Sequence, residues 1–179
     1  VKVKIITLYR FTQIRNLKEL QERFVTVCKN NTVVGSVLIA HEGINGTIAG
    51  APQNLDAVLS FVKSLKGFNE LEYKVSFSET APFRKLRVRI KKEIVTMGIP
   101  NVDPSEVVGN YIEPRDWNEF SRSADVVLID TRNDYEVAIG TFKGAINPET
   151  SKFRDFPEWW LRNAERFKDK KIAMFCTGG

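Results

Sequence analysis

The chain has 179 residues, 42% of them hydrophobic and 27% charged, enough to bury a real core in one or two domains. No apolar run approaches a membrane span and no signal peptide opens the chain. Two cysteines, Cys28 and Cys176, make no disulfide framework and point to a reducing, cytoplasmic setting; with the single His41 they make a poor zinc set, so no metal site is expected. The net charge of +5 is uneven: residues 1–100 carry 16 Lys and Arg against 8 Asp and Glu, giving +8, and the rest carries 11 against 14, giving −3. That asymmetry suggests two domains and a polyanionic partner for the first, with ordinary solubility charge as the alternative.

In chain order, Val3 to Tyr9 is a β-branched, apolar run and reads as a strand. Asn16 with Glu19 three residues on predicts a capped helix start. Leu17, Leu20, Phe24, Val27 and Cys28 follow at helical spacing, which puts Cys28 in the core. Val33 to Ala40 and Ile44 to Ala49 read as a hairpin around His41-Glu42-Gly43. His41, Glu42 and Asn45 are polar enough to touch a ligand, but a turn role is favoured, with Asn45-Gly46 as a corner. Leu55, Val58, Leu59, Val62 and Leu65 mark a second helix, and Leu71 to Phe77 a fourth strand. The order β-α-β-β-α-β is the ferredoxin-like pattern: an antiparallel sheet with both helices on one face.

Lys85, Arg87, Arg89 and Lys91 then alternate with Leu86, Val88 and Ile90, and Arg84 and Lys92 add to the cluster. On a strand this places the cations on one face and the apolar residues on the other. A nucleic-acid backbone suits such a face; a solvated edge strand is the bland alternative. Residues 98–113, with two glycines and two prolines, read as a linker. Pro114 opens a helix near Asp116 to Phe120, with Trp117 packing inward. Val126 to Ile129 is a buried strand ending in Asp130-Thr131-Arg132, and Asn133 to Ile139 looks helical. Gly140 to Asn147 is a loop into a short strand, and Pro157 to Phe167 an aromatic-rich helix. Ile172 to Phe175 reads as a strand buried on both faces. It stops at Cys176, Thr177, Gly178 and Gly179. Two glycines there let backbone N–H groups gather around an anion, here the Cys176 thiolate. A small core cysteine is the competing reading. Alternating strands and helices imply an α/β domain whose site lies at the strands' carboxyl ends, where Asp130 and Cys176 both fall.

The strand into Asp130-Thr131-Arg132, the Tyr135-Glu136 pair, Gly140-x-x-x-Gly144-Ala145-Ile146-Asn147 and Phe175-Cys176-Thr177-Gly178-Gly179 together resemble the rhodanese domain. With His41-Glu42-Gly43-Ile44-Asn45-Gly46-Thr47, Pro82-Phe83-Arg84-Lys85-Leu86 and Lys91-Lys92-Glu93-Ile94-Val95-Thr96, essentially the whole chain is similar to the rhodanese-domain tRNA uridine hydroxylases. The resemblance implies an α+β ferredoxin-like (acylphosphatase-like) domain over 1–97, a linker over 98–113 and an incomplete α/β rhodanese-like domain over 114–179. It implies tRNA as partner and conversion of the wobble uridine to 5-hydroxyuridine, with molecular oxygen as cosubstrate and Cys176 as the active-site residue. Asp130, Arg132, Glu136, Thr177, Gly178 and Gly179 would support the loop and pocket. Arg84, Lys85, Arg87, Arg89 and Lys91 would meet the RNA. It further implies that the natural chain continues past Gly179 with a loop arginine, which Glu136 could pair, and later with further cysteines; a fragment without them is expected to be inactive. No cofactor motif is evident. A sulfurtransferase carrying a persulfide on Cys176 and a non-catalytic RNA-binding module stay open beside this reading, with a cysteine phosphatase more distant.

Overall fold

The computed structural model describes residues 2–99 and 109–177. The chain divides into two compact units between Val95 and Thr96, the second taking in everything from Gly109 onward. Most of the predicted linker, Pro100 to Val108, lies outside the described residues, as do Gly178 and Gly179.

The first unit is a five-stranded sheet. Its elements run β1 (Val3–Phe11), α1 (Leu17–Asn30), β2 (Val34–Ala40), β3 (Gly43–Gly50), α2 (Pro52–Lys63), β4 (Glu72–Ser78) and β5 (Leu86–Ile90). The spatial order is β4-β1-β3-β2-β5. The first four strands pair antiparallel in the expected β-α-β-β-α-β arrangement, and β5 adds to the β2 edge in parallel. Ile6, Leu8, Val37, Ile39, Ile44 and Ile48 point to one face, where α1 and α2 cover them with Leu20, Phe24, Cys28, Leu55, Val58 and Val62. Phe24 is fully buried, with Phe61 edge-on at 6.2 Å; burying such a ring contributes about 2–3 kcal/mol. The α1 start is capped as its spacing predicts: Glu19 N donates to Asn16 Oδ1 (3.3 Å), and Asn16 Nδ2 donates to Glu19 Oε2 (2.8 Å).

Asn45 and Gly46 form no corner. Both lie inside β3, and the turn is confined to His41-Glu42. Gly46 is a strand residue because β2 comes so close that a Cβ would sit 2.6 Å from Ser36 O. Gly43 follows the turn at φ +149°, where a Cβ would also collide with Arg10 O.

The second unit builds on two parallel strands. Its elements are α3 (Pro114–Ser121), β6 (Val126–Asp130), α4 (Asp134–Val137), α5 (Phe156–Asn163) and β7 (Lys171–Phe175). Ile146 bridges Ile129 in parallel, so the short strand expected there is reduced to a single bridge. The helix expected over Pro157–Phe167 is α for its first part only and tightens to a 3₁₀ turn at Ala164–Phe167. Leu128, Ala173 and Phe175 form the core, with Trp117 packed inward on them. The Phe142 and Phe175 rings meet edge-on at 4.8 Å. β7 is not buried on both faces: Met174 is 45% exposed while Ala173 and Phe175 are buried. Among the described residues β7 pairs only with β6, and on its second face Ile172 is only half-buried.

Candidate functional site

Cys176 is the first residue past β7 and is exposed. The register pairs Asp130 with Phe175, which sets Cys176 level with Thr131 at the carboxyl end of both strands. Thr131 fixes that level. Its N–H donates to Phe175 O (3.0 Å), and its hydroxyl donates to the same oxygen (2.9 Å). The carbonyl immediately before the cysteine is therefore held twice.

Asp130 is completely buried and accepts from every side. Arg132 Nε lies 2.9 and 3.2 Å from its two oxygens, and Arg132 Nη2 lies 2.6 Å from Oδ2. Arg132 N (3.1 Å) and the Thr141 hydroxyl (2.7 Å) complete the set. Burial pushes the carboxyl up, but the Arg132 hydrogen bonds, the Thr141 hydroxyl and the guanidinium charge together hold it below the usual carboxylate range. The same contacts raise the guanidinium further. Arg132 also donates to Gly140 O (2.6 Å) and Glu136 O (3.4 Å), so four of its five N–H groups are committed. It braces the 136–140 turn against the end of β6 and turns little of its charge toward a ligand.

Glu136 opens toward the cysteine loop. Its Oε2 accepts from Asn133 N (3.1 Å), and its Oε1 accepts from the hydroxyl of Thr177. The structure thus brings Asp130, Arg132, Glu136, Thr177 and Cys176 to one strand end. Two residues to which the sequence pointed no role belong with them: Thr141 on Asp130, and Thr131 on the Phe175 carbonyl. Each lay within a quoted motif, but only the fold shows its partner. Among the described residues no three of His, Cys, Asp and Glu gather closely enough to hold a metal ion. No helix there is long and apolar enough to cross a membrane.

In the first unit, Arg84, Lys85, Arg87, Arg89 and Lys91 are all exposed. Leu86 and Val88 pack against the core, and Gln21 Nε2 on α1 donates to Val88 O (2.8 Å). Arg87 and Arg89 therefore face away from the helices. None of these five cations is in an ion pair among the described residues. After β5 the chain folds back over the sheet. Ile94 N donates to Glu42 Oε1 (2.5 Å), Asn45 Nδ2 donates to Ile94 O (3.0 Å), and Ile94 is 1% exposed. His41 Nδ1 lies 2.8 Å from Ile14 O. The polar turn residues are thus occupied as fasteners, a longer-range role than a local turn.

An acylphosphatase-like α+β domain, followed by a unit that presents a cysteine at the end of a parallel strand, defines the class. Residues 3–94 match the UPF0176 acylphosphatase like domain, and the chain belongs to that family. It is 50% identical over 174 residues to a protein named tRNA uridine(34) hydroxylase from Acaryochloris marina, covering 97% of this chain and 56% of that one. It is 53% identical over 175 residues to the protein of the same name from Roseobacter denitrificans, covering 98% and 59%. A third, from Picosynechococcus sp., is 50% identical over 175 residues, covering 98% and 59%. The chain thus spans somewhat over half the length of the curated relatives it matches. Among solved structures, Klebsiella pneumoniae BlrP1 with FMN and cyclic diGMP aligns with a TM-score of 0.43 and 16% identity over 51% of this chain and 26% of that one, too distant to bear on function.

Proposed function

We propose that the natural protein carrying this chain hydroxylates uridine 34 of tRNA, the wobble position, to 5-hydroxyuridine, with molecular oxygen as cosubstrate and in the cytoplasm. The observation that carries this is identity at about half of all positions, along 97–98% of the chain, with proteins bearing that name. In this reading residues 1–97 form the acylphosphatase-like domain, 98–113 the linker and 114–179 a rhodanese-like domain. Cys176 is the reacting residue. Its exposure at a strand end supports this, since a thiol must be reachable to act as a nucleophile. Asp130 and Arg132 hold the pocket wall, Glu136 and Thr177 set the start of the loop, and Gly178 and Gly179 continue it. Arg84, Lys85, Arg87, Arg89 and Lys91 take tRNA phosphates.

The test is Cys176→Ala in the natural protein, returned to cells lacking the gene, with mass spectrometry of their tRNA. Loss of 5-hydroxyuridine is expected; undiminished levels would overturn the role of Cys176. The exposed thiol also favours one second reading, a persulfide carrier. Incubation with thiosulfate followed by intact-mass measurement decides it, since a carrier gains one sulfur atom at Cys176. A pure RNA-binding module would keep its tRNA affinity in the Ala variant and leave tRNA unmodified with either form.

A further inference from the structure

Two loops of the first unit enclose a cleft of about 520 Å³, within the ~300–1,000 Å³ range of small-molecule sites. One is the β1–α1 connection with the first turns of α1, and the other is the 65–68 turn between α2 and β4. Both walls are fixed from behind. Thr12 N donates to Glu42 O (2.8 Å) and Ile14 N donates to His41 O (2.8 Å), so the turn between β2 and β3 holds the first loop. Phe68 N donates to Leu65 O (3.0 Å) and Arg10 Nε donates to Gly67 O (3.4 Å), so β1 holds the second. The loops touch at Gly67, where φ is +86° and a Cβ would sit 2.3 Å from Thr12 Oγ1. The cleft is therefore shaped without a ligand.

Its lining has two characters. The floor is apolar: Ile14, Leu20 and Phe68 belong to the core, and Leu65 packs on it half-buried. The rim is cationic, with Arg15, Arg23 and Lys66 exposed. Glu19 is the one carboxylate among the described lining residues, and it is committed. Its Oε2 accepts from Asn16 Nδ2 (2.8 Å), and its Oε1 lies 3.7 Å from Arg23 Nη1. Arg23 also sits over the Phe61 ring, 5.4 Å from its centroid. Among the described residues Arg15 and Lys66 form no ion pair. Two uncompensated cations thus stand at the mouth of an apolar recess, a combination that suits a flat ligand carrying an anion.

We infer that this cleft binds a nucleoside monophosphate unit, with the base on the apolar floor and the phosphate on Arg15 and Lys66. The base covers apolar surface of the floor that water otherwise meets. The phosphate takes charge-assisted hydrogen bonds from the guanidinium and the ammonium, about twice as strong as neutral ones. The same chemistry has two sources, an unpaired nucleotide of RNA or a free nucleotide. The RNA source rests on the proposal that the protein acts on tRNA, whereas the make-up of the cleft does not. None of the five β5-region cations assigned to tRNA phosphates lines it.

The test is calorimetric titration of the natural protein with UMP, AMP, uridine and inorganic phosphate, beside anisotropy titrations with a labelled oligouridylate and with tRNA. UMP or AMP should bind at one site, and uridine and phosphate at least about tenfold more weakly, since each lacks one half of the contacts. Arg15→Gln with Lys66→Gln should cut nucleotide affinity at least about tenfold and leave uridine unchanged. Leu65→Asn should weaken the nucleotide and uridine alike. Circular-dichroism melts check folding, and the paired charge variant, confined to exposed side chains, decides the matter if Leu65→Asn does not fold. Loss of oligouridylate and tRNA affinity in the same variants assigns the nucleotide to RNA. Loss of UMP or AMP affinity with tRNA binding and 5-hydroxyuridine unchanged assigns it to a free nucleotide. Phosphate binding as tightly as UMP and AMP would overturn the inference, as would nucleotide and RNA binding that neither variant changes. If Arg87→Gln with Arg89→Gln weakens tRNA binding while the cleft variants bind every probe as wild type does, the cleft reading falls and the proposed function stands.

Discussion

Asp130→Ala removes a carboxylate that is wholly out of solvent and satisfies an arginine, a threonine and a backbone N–H. Arg132 cannot simply swing into water, because its side chain is 17% exposed and is bonded to Gly140 O and Glu136 O. Leaving one partner of such a pair uncompensated costs about 3–5 kcal/mol. Asp130→Asn keeps the shape and some of the hydrogen bonds but loses the charge, so about 1.5–3 kcal/mol is expected. All three tryptophans, Trp117, Trp159 and Trp160, lie in the second unit, so urea unfolding followed by tryptophan fluorescence reports on that unit selectively. Asp130→Asn combined with Arg132→Gln should cost less than the sum of the single variants, with a coupling of about 0.5–3 kcal/mol. The sign of the pH effect follows from the depressed carboxyl. Its stabilisation is complete above the ordinary unfolded value of about 3.9 and is lost as pH falls through the lower folded value. The gap between wild type and Asp130→Asn should therefore be flat near neutrality and close only in acid. An Asp130→Ala loss under ~1 kcal/mol, or a gap that closes at pH 6 to 7, would refute this account.

Burial raises the Cys28 thiol to about 12, so iodoacetamide at pH 8 should label Cys176 in the native chain and reach Cys28 only after unfolding. Cys28→Ala should cost a modest ~1–2 kcal/mol by chemical denaturation, since it deletes one small buried group. Glu42→Ala removes the acceptor of the Ile94 N–H; a loss of about 1–3 kcal/mol and faster hydrogen exchange at that amide are expected, and unchanged exchange would contradict the fastening role. Arg87→Gln with Arg89→Gln should flatten the tRNA salt slope by roughly 1–2 units with the melting temperature little changed, and an equal slope would remove β5 from the RNA interface. Gly43→Ala should destabilise the first unit by more than ~1 kcal/mol in a thermal melt, because both its φ and the nearby Arg10 carbonyl oppose a side chain.

What could be read in advance followed the range of the interaction. The α1 cap was legible because Asn16 and Glu19 are three residues apart and act on each other. The first unit's topology was legible because its periodicities switch cleanly between two and 3.6. Glu42 and Asn45 were not, since their partner Ile94 lies some fifty residues on and leaves no local signal. The polar Asn45 inside an apolar strand was the only clue. At the cysteine site the strand ends and the glycine-rich stop were visible, but the bonds of Arg132 to Gly140 and of Thr177 to Glu136 depend on how the loops close. The short apolar run of β7 was over-read as doubly buried, because four apolar residues in a row cannot say how many neighbours the strand will have.

The strands β4 and β5 are consecutive in the chain yet occupy opposite edges of the sheet. The connection must travel the full width of the sheet, roughly 19 Å, and also climb to reach Leu86. Eight residue steps separate Ser78 from Leu86, and a fully extended chain covers at most ~26–29 Å in that count. The connector bends at Glu79, Thr80, Pro82, Arg84 and Lys85 and so keeps some slack, but its length still bounds the slide of β5 along β2. Inserted residues would bulge harmlessly at the sheet's end. Two deleted residues would leave almost no slack, and β5 would have to slip or peel away, carrying Arg87 and Arg89 out of line with Ser36 and Leu38.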